Sequence, residues 1–363
     1  MILPSTPRPK ASVADPSLIR PDWTKGEPRR ADMLWLDKNE NSDPALAKVV
    51  AEVLASLPPE TLYTYPETAA LYRKLADWTG LAPENLVLAA GSDGAIRAVF
   101  EAFVSPGDVV LHTDPTFAMY PVYCRMYGAD AHALEYRARE NGPELSASDF
   151  IEAIERLSPR LICLPNPDSP TGTVITPDGL SAIIDAAGNV GAVMLVDEAY
   201  HPFYGESVIG LTSDYPHLVV TRSTGKAWGM AGFRIGYSAA GTEMAAILHK
   251  VRPMYHTNTI AIAAFTAMLD HASDMEASVE RLNAGKGHFL NRMSGLGFRT
   301  LNGHGSFLHV AFGQHAGAIH AALADVAYYR LGFSEPCLRG FSRFSSTTID
   351  RFDRVADTIE KAI

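Results

Sequence analysis

The chain has 363 residues, 47% of them hydrophobic and 20% charged, with a formal net charge of −10. That length and apolar content can bury a sizeable core and suit a large and a small domain better than one simple unit. An acidic surface argues against nucleic acid or an anionic membrane as the main partner, but a local arginine cluster can still bind a small anion.

Residues 1–32 are polar, rich in Pro and Arg, contain no apolar signal region and read as an extended arm. The turn NENSDP then leads into a helix from about Pro44 to Leu57, which the pair Pro58-Pro59 ends. From residue 86 short apolar runs alternate with amphipathic segments. The strand-like runs are LVLAA (86–90), VVLH (109–112), ALEY (133–136), LICL (161–164), AVMLV (192–196), LVVT (218–221) and FRIGYSAA (233–240). Helical segments such as Asp93–Val104 and Pro177–Ala187 lie between most of them. This alternation predicts a mostly parallel sheet covered by helices on both faces. Residues 242–285 read as helix with a break near Pro253, followed by a further strand–helix set with FLHVAF (307–312) and a final helix from about Asp350.

The three cysteines, Cys124, Cys163 and Cys337, are too far apart for a disulfide framework or a zinc site. The twelve histidines show no paired metal-site spacing, and His304 and His309 simply flank GSFL. No apolar run approaches membrane-spanning length, so a soluble, cytoplasmic setting is expected.

In an open parallel sheet, ligands bind at the carboxyl ends of the strands. Five polar sequences sit at those ends: GSDG, DPTF, PNPDSPTG, DEAY and RSTGK. Lys226, in small and apolar surroundings, suits imine formation with an aldehyde cofactor, although a surface lysine is the bland alternative. Ser223 and Arg234 nearby could bind a phosphate. Asp197 ends an apolar strand, where it could face a protonated ring nitrogen or merely cap a helix. Ser92 and Asp93 open a helix whose backbone N–H groups suit an anion or an ordinary cap. Phe117 offers a flat face for stacking, or for the core.

GSDG, DPTFAMY, SPTG, DEAY and S-x-x-K-x7-R, in this order, resemble the class I/II aminotransferases, and most closely the histidinol-phosphate subfamily. LDKNEN (36–41) looks like the opening motif of that subfamily, and TYPE (64–67) looks like its R-Y-P motif. The resemblance covers roughly residues 34–360. It implies an α/β fold with a mostly parallel seven-stranded sheet in a large domain, plus a smaller α/β domain made from the chain ends. The corresponding divisions are 1–50 for the arm and part of the small domain, 51–250 for the large cofactor-binding domain, 251–285 for linking helices and 286–363 for the C-terminal small domain.

The resemblance also implies pyridoxal 5'-phosphate as cofactor. Lys226 is then its Schiff-base lysine, Asp197 pairs with the ring nitrogen, Tyr200 and Ser169 serve the ring hydroxyl, and Phe117 stacks on the ring. Ser92, Asp93, Ser223 and Arg234 hold the phosphate, and Tyr65 reaches the phosphate in the other subunit of a homodimer. SRFSSTTIDRFDRV looks like the family's L-R-I-S-I-G-T block, which makes Arg343 the substrate clamp and Arg339 its runner-up. Asn41 joins the substrate contacts. The implied partners are an amino donor and a keto-acid acceptor, 2-oxoglutarate.

Three positions depart from the family pattern. Ser169 stands where the family has Asn, so Asp168 or Asn166 could contribute instead. Gly225 stands where the family often has Ser, and Ser306 replaces the Asn of N-F. Transamination leads, decarboxylation of an amino acid or amino-acid phosphate is the alternative on the same cofactor, and a non-catalytic relative is the third reading.

Overall fold

A computed structural model describes residues 9–19 and 26–363. Residues 1–8 and 20–25 of the expected arm lie outside the described residues. Within the arm, Ala11–Ala14 forms one helical turn, and the Ser12 hydroxyl donates to the Met126 carbonyl at 2.9 Å. That part of the arm is therefore folded against the body instead of extended.

The strands, in chain order, are β1 (Leu34–Trp35), β2 (Leu86–Ala89), β3 (Val109–Asp114), β4 (Asp130–Glu135), β5 (Arg137–Arg139), β6 (Gly142–Glu144) and β7 (Leu161–Pro165). They continue with β8 (Val193–Asp197), β9 (Leu218–Ser223), β10 (Gly236–Ala240), β11 (Arg299–Leu301), β12 (Phe307–Ala311), β13 (Ala327–Tyr328) and β14 (Ser342–Ser345). Seven of them form one sheet in the order β2-β10-β9-β8-β7-β3-β4, and every one coincides with a run read from the sequence. Only β10 is antiparallel to its neighbours. The central strands are buried on both faces and rich in Val, Leu, Ile and Met, as a helix-covered sheet requires. Fully burying each such side chain contributes about 1.5–3 kcal/mol.

The helices between the strands begin and end on recognisable signals. Asp43 caps helix Pro44–Ser56, with Pro at its first position. Ser146 and Asp149 form a reciprocal capping box on helix Ala147–Leu157. The expected strand FRIGYSAA begins late. Residues 231–233 form a 3-10 turn, Arg234 is left-handed (φ 54°), and the strand starts only at Gly236.

A second, three-stranded antiparallel sheet has the order β11-β12-β14 and packs on helices Ala272–Gly295 and Ile349–Glu360. β1 pairs in parallel with β13, which ties the segment after the arm to the C-terminal part of the chain. The segment continuing from β1, residues 36–43, then crosses over the carboxyl ends of the large sheet.

Candidate active site

The site is built from strand ends. Asp197 is the last residue of β8, and Thr221 lies opposite it on β9. Its carboxylate accepts from Thr221 Oγ1 and the Ala199 backbone N–H at 3.1 Å each, and from the Tyr120 hydroxyl at 3.2 Å. All three donors are neutral, and among the described residues Asp197 has no ion-pair partner. Burial pushes its pKa up to about 6 in spite of those bonds. Tyr120 and Thr221 were not singled out from the sequence, because only the strand register brings them to Asp197.

The opposite holds for the adjacent residue. Glu198 pairs with Arg222 at 2.9 Å and also accepts from Ser207 and the Val208 backbone N–H. That buried charge is fully compensated within the chain.

Helix Gly91–Phe103 begins directly beyond β2, so its free N–H groups face the same sheet edge. The backbone there is tightly nested. A Cβ on Gly236 would lie 2.7 Å from Gly91 C and Ser92 N, and one on Gly91 would lie 2.7 Å from Arg234 Nη2. The two glycines thus bring a helix N-terminus and a guanidinium together, as phosphate binding requires. Asp93 accepts from the Tyr123 hydroxyl at 2.8 Å. Ser223 ends β9, and its hydroxyl accepts from the Gly225 backbone N–H at 3.1 Å. A Cβ on Gly225 would sit 3.3 Å from Ala231 Cα, which gives a steric reason for glycine in place of serine.

Lys226 is half-buried. Its amine donates to the Lys38 carbonyl at 3.0 Å and lies 5.5 Å from the Tyr200 ring centre. Tyr200 is buried, and its hydroxyl accepts from Asn39 Nδ2 at 2.9 Å. Burial alone would raise the Tyr200 phenol, but the charges of Lys226 and Arg343 with the bond from Asn39 outweigh it, and the phenol sits below its ordinary value.

Arg343, on β14, is buried and has no carboxylate partner among the described residues. Its Nη2 donates to the Asp37 carbonyl at 3.0 Å, its Nε has no partner, and the guanidinium lies 5.3 Å from the Phe307 ring centre. Phe307 in turn meets Tyr200 edge-on at 5.5 Å. Burial pulls the guanidinium down to about 10, so it still carries its charge near neutral pH. Arg339 is exposed, four residues earlier and outside the strand. Arg330, not singled out from the sequence, exchanges backbone hydrogen bonds with Arg343 and stacks over Phe333 at 3.8 Å.

Phe117 is partly buried and edge-on to Tyr120, 5.7 Å between ring centres. Asn41 donates to the Ala227 carbonyl and Ser278 and accepts from the Asp43 N–H, so its amide is engaged within the chain. The Asn166 amide bonds at both ends to Ile175, and Asp168 accepts from Thr171 and Thr113. Neither of the two alternatives to Ser169 is free, while the Ser169 hydroxyl lies against Tyr200. Tyr65 is 72% exposed and stacks on Tyr255 at 4.2 Å.

The sequence matches the family described as aminotransferase class I and II over residues 31–359. The chain belongs to that family. That membership, with relatives named as aminotransferases, makes it a pyridoxal-phosphate-dependent transaminase. The histidinol-phosphate aminotransferase of Chromohalobacter salexigens is 30% identical over 344 residues, covering 93% of this chain and 95% of that protein. The enzyme of the same name from Thermoanaerobacter pseudethanolicus is 32% identical over 228 residues, which span 62% of this chain and 63% of that protein's length. Among solved structures, histidinol-phosphate aminotransferase from Sinorhizobium meliloti in complex with pyridoxal-5'-phosphate superposes with a TM-score of 0.78 at 20% identity, covering 92% of each chain. These are aminotransferases by name, so the decarboxylase alternative is not favoured.

The family's cofactor fits the residues present. Asp197 is a buried carboxylate with only neutral donors, ready for a cationic ring nitrogen. The Gly91–Gly236 nest beside Arg234 matches a phosphate, and the Lys226 amine stands at the same edge. No helix among the described residues is long and apolar enough to cross a membrane.

Proposed function

We propose that this protein is an aminotransferase of the histidinol-phosphate type, moving an amino group between an amino acid or amino-alcohol phosphate and 2-oxoglutarate. The observation that carries this reading is a pair of buried, uncompensated charges. Among the described residues Asp197 has no cation and Arg343 no anion, whereas Glu198 is paired with Arg222. A buried charge without a partner is costly, so both point to charged ligands that complete the site.

Pyridoxal phosphate supplies an aldehyde carbon and a ring that withdraws electrons from the amine-bearing carbon. Lys226 would hold that aldehyde through its amine and, as a free amine, would move the proton at the amine-bearing carbon. Asp197 would keep the ring nitrogen protonated, and Tyr200 would donate to the ring oxygen. Ser92, Asp93, Ser223 and Arg234 hold the phosphate end, with Phe117 against the ring face. Arg343 binds the substrate's anionic group through a planar fork of donors. Two copies of the chain form the working unit, with exposed Tyr65 reaching the partner's phosphate.

The test is an assay of the loaded enzyme with histidinol phosphate, other amino-acid phosphates and ordinary amino acids plus 2-oxoglutarate, following glutamate and carbon dioxide together. Glutamate formed in step with the keto product supports the proposal. Carbon dioxide without glutamate overturns it.

A further inference from the structure

Residues 37–41 form a strap across the site, and almost every one of them bonds a different site group. The Asp37 carbonyl takes Arg343, the Lys38 carbonyl takes Lys226, the Asn39 amide reaches Tyr200, and the Asn41 amide reaches the carbonyl next to Lys226. From outside, Arg29 pairs with Asp37 at 2.8 Å and with Glu40 at 2.7 Å and lies 4.2 Å from the Trp35 ring centre. Within this strap Asn39 is the most constrained residue. It is 2% exposed and left-handed (φ 56°), a conformation Asn tolerates better than most residues.

Two serines hold Asn39 through three hydrogen bonds. The Asn39 backbone N–H donates to Ser345 Oγ at 2.8 Å, so that oxygen is already an acceptor. Ser345 Oγ in turn donates to Asn39 Oδ1 at 3.3 Å. Ser306 Oγ donates to the Asn39 carbonyl at 3.4 Å. With Oδ1 accepting from Ser345, the amide nitrogen is the end that faces Tyr200, at 2.9 Å. The Tyr200 oxygen is then an acceptor for Asn39, and its own proton points away from that amide.

We infer that Asn39 is a positioning residue that orients the Tyr200 hydroxyl proton toward the ring oxygen of the bound cofactor. Ser169, too short to span the distance an asparagine side chain would, lies against the same phenol, so at this site the amide comes from the strap. Ser306 and Ser345 hold that amide in place. The charges of Lys226 and Arg343 beside Tyr200 favour the same polarity. The inference rests on the cofactor reading proposed above.

The test follows the pH midpoint of the visible absorbance band of the loaded enzyme. A donated hydrogen bond stabilises the ionised ring oxygen, so losing it makes the chromophore harder to deprotonate. Asn39→Gly removes the amide while tolerating the left-handed backbone. The midpoint is expected to rise by about one pH unit, a roughly tenfold change in proton affinity. In a Tyr200→Phe background the same substitution should add nothing, because the shift passes through the phenol. Ser345→Ala, which leaves residue 39 untouched but frees its amide to flip, should move the midpoint the same way by less. A midpoint unmoved by both Asn39→Gly and Ser345→Ala, or an equal Asn39→Gly shift without the Tyr200 hydroxyl, overturns the inference. A parent protein that shows no cofactor band after loading overturns the cofactor reading itself.

Discussion

Asp197 and Glu198 are neighbours in sequence, both buried at the end of β8, yet the chain treats them oppositely. Glu198 has a guanidinium, a hydroxyl and a backbone N–H. Asp197 has only neutral donors and a pKa pushed up to about 6 by burial. The arginines divide in the same way. Arg222 is paired with Glu198, and Arg343 has a carbonyl, an aromatic face and an orphan Nε. A charge that serves the fold is compensated inside the chain. One that serves a ligand is left open, at a cost the ligand removes.

The contrast can be broken first at its closed pair. Glu198→Ala leaves Arg222 buried without its carboxylate and should lower unfolding stability by about 3–5 kcal/mol in a denaturant titration. A loss below about 1 kcal/mol would mean the pair is not the structural element described. At the open cation the signs reverse. Arg343→Met should lower kcat/KM roughly 100-fold, about 2.7 kcal/mol, with stability unchanged or increased. A large fall in stability would place Arg343 with Arg222 instead.

At the open anion the prediction is a pH dependence. The folded pKa of Asp197 lies above its ordinary value of 3.8, so the native apoprotein binds that proton more tightly than the unfolded chain. The contribution to stability is full below about 4 and is lost as pH rises through about 6. Asp197→Asn, neutral throughout, should therefore be more stable than the parent apoprotein at pH 8, by roughly 2–3 kcal/mol. That gap should close as pH falls from about 6 to about 4, and parallel melts across the range would show it. A constant gap would assign the difference to packing rather than charge.

The open side of the comparison was only half legible in the sequence. Asp197, Lys226, Gly91 and Arg234 sit where apolar runs stop, and such runs announce the strands of a buried parallel sheet. The carboxyl-end rule then converts strand ends into a site without further information. The strap has no such signal. Residues 37–41 have no periodicity, and their partners are remote in sequence. Asn39 is 161 positions from Tyr200 and 306 from Ser345. Asn41 and Asn39 are therefore equivalent on paper, and only the fold shows that one is tied to Ala227 and Ser278 while the other faces Tyr200. The late start of β10 has a similar origin. Phe233 and Ile235 read as strand, but the turn that swings Arg234 toward Gly91 takes the residues before Gly236.

Lys226 is the residue proposed to hold the cofactor, and Lys286, which is buried where Lys226 is half-buried, is its rival. Burial pulls Lys286 down to about 8, and its amine donates to the carbonyls of Gly303 and Gly305. Loading the protein with pyridoxal phosphate, reducing with borohydride and mapping the labelled peptide by mass spectrometry distinguishes the two. The label is expected on Lys226, and it should vanish in Lys226→Ala. A label on Lys286, or one that survives Lys226→Ala, would contradict the account.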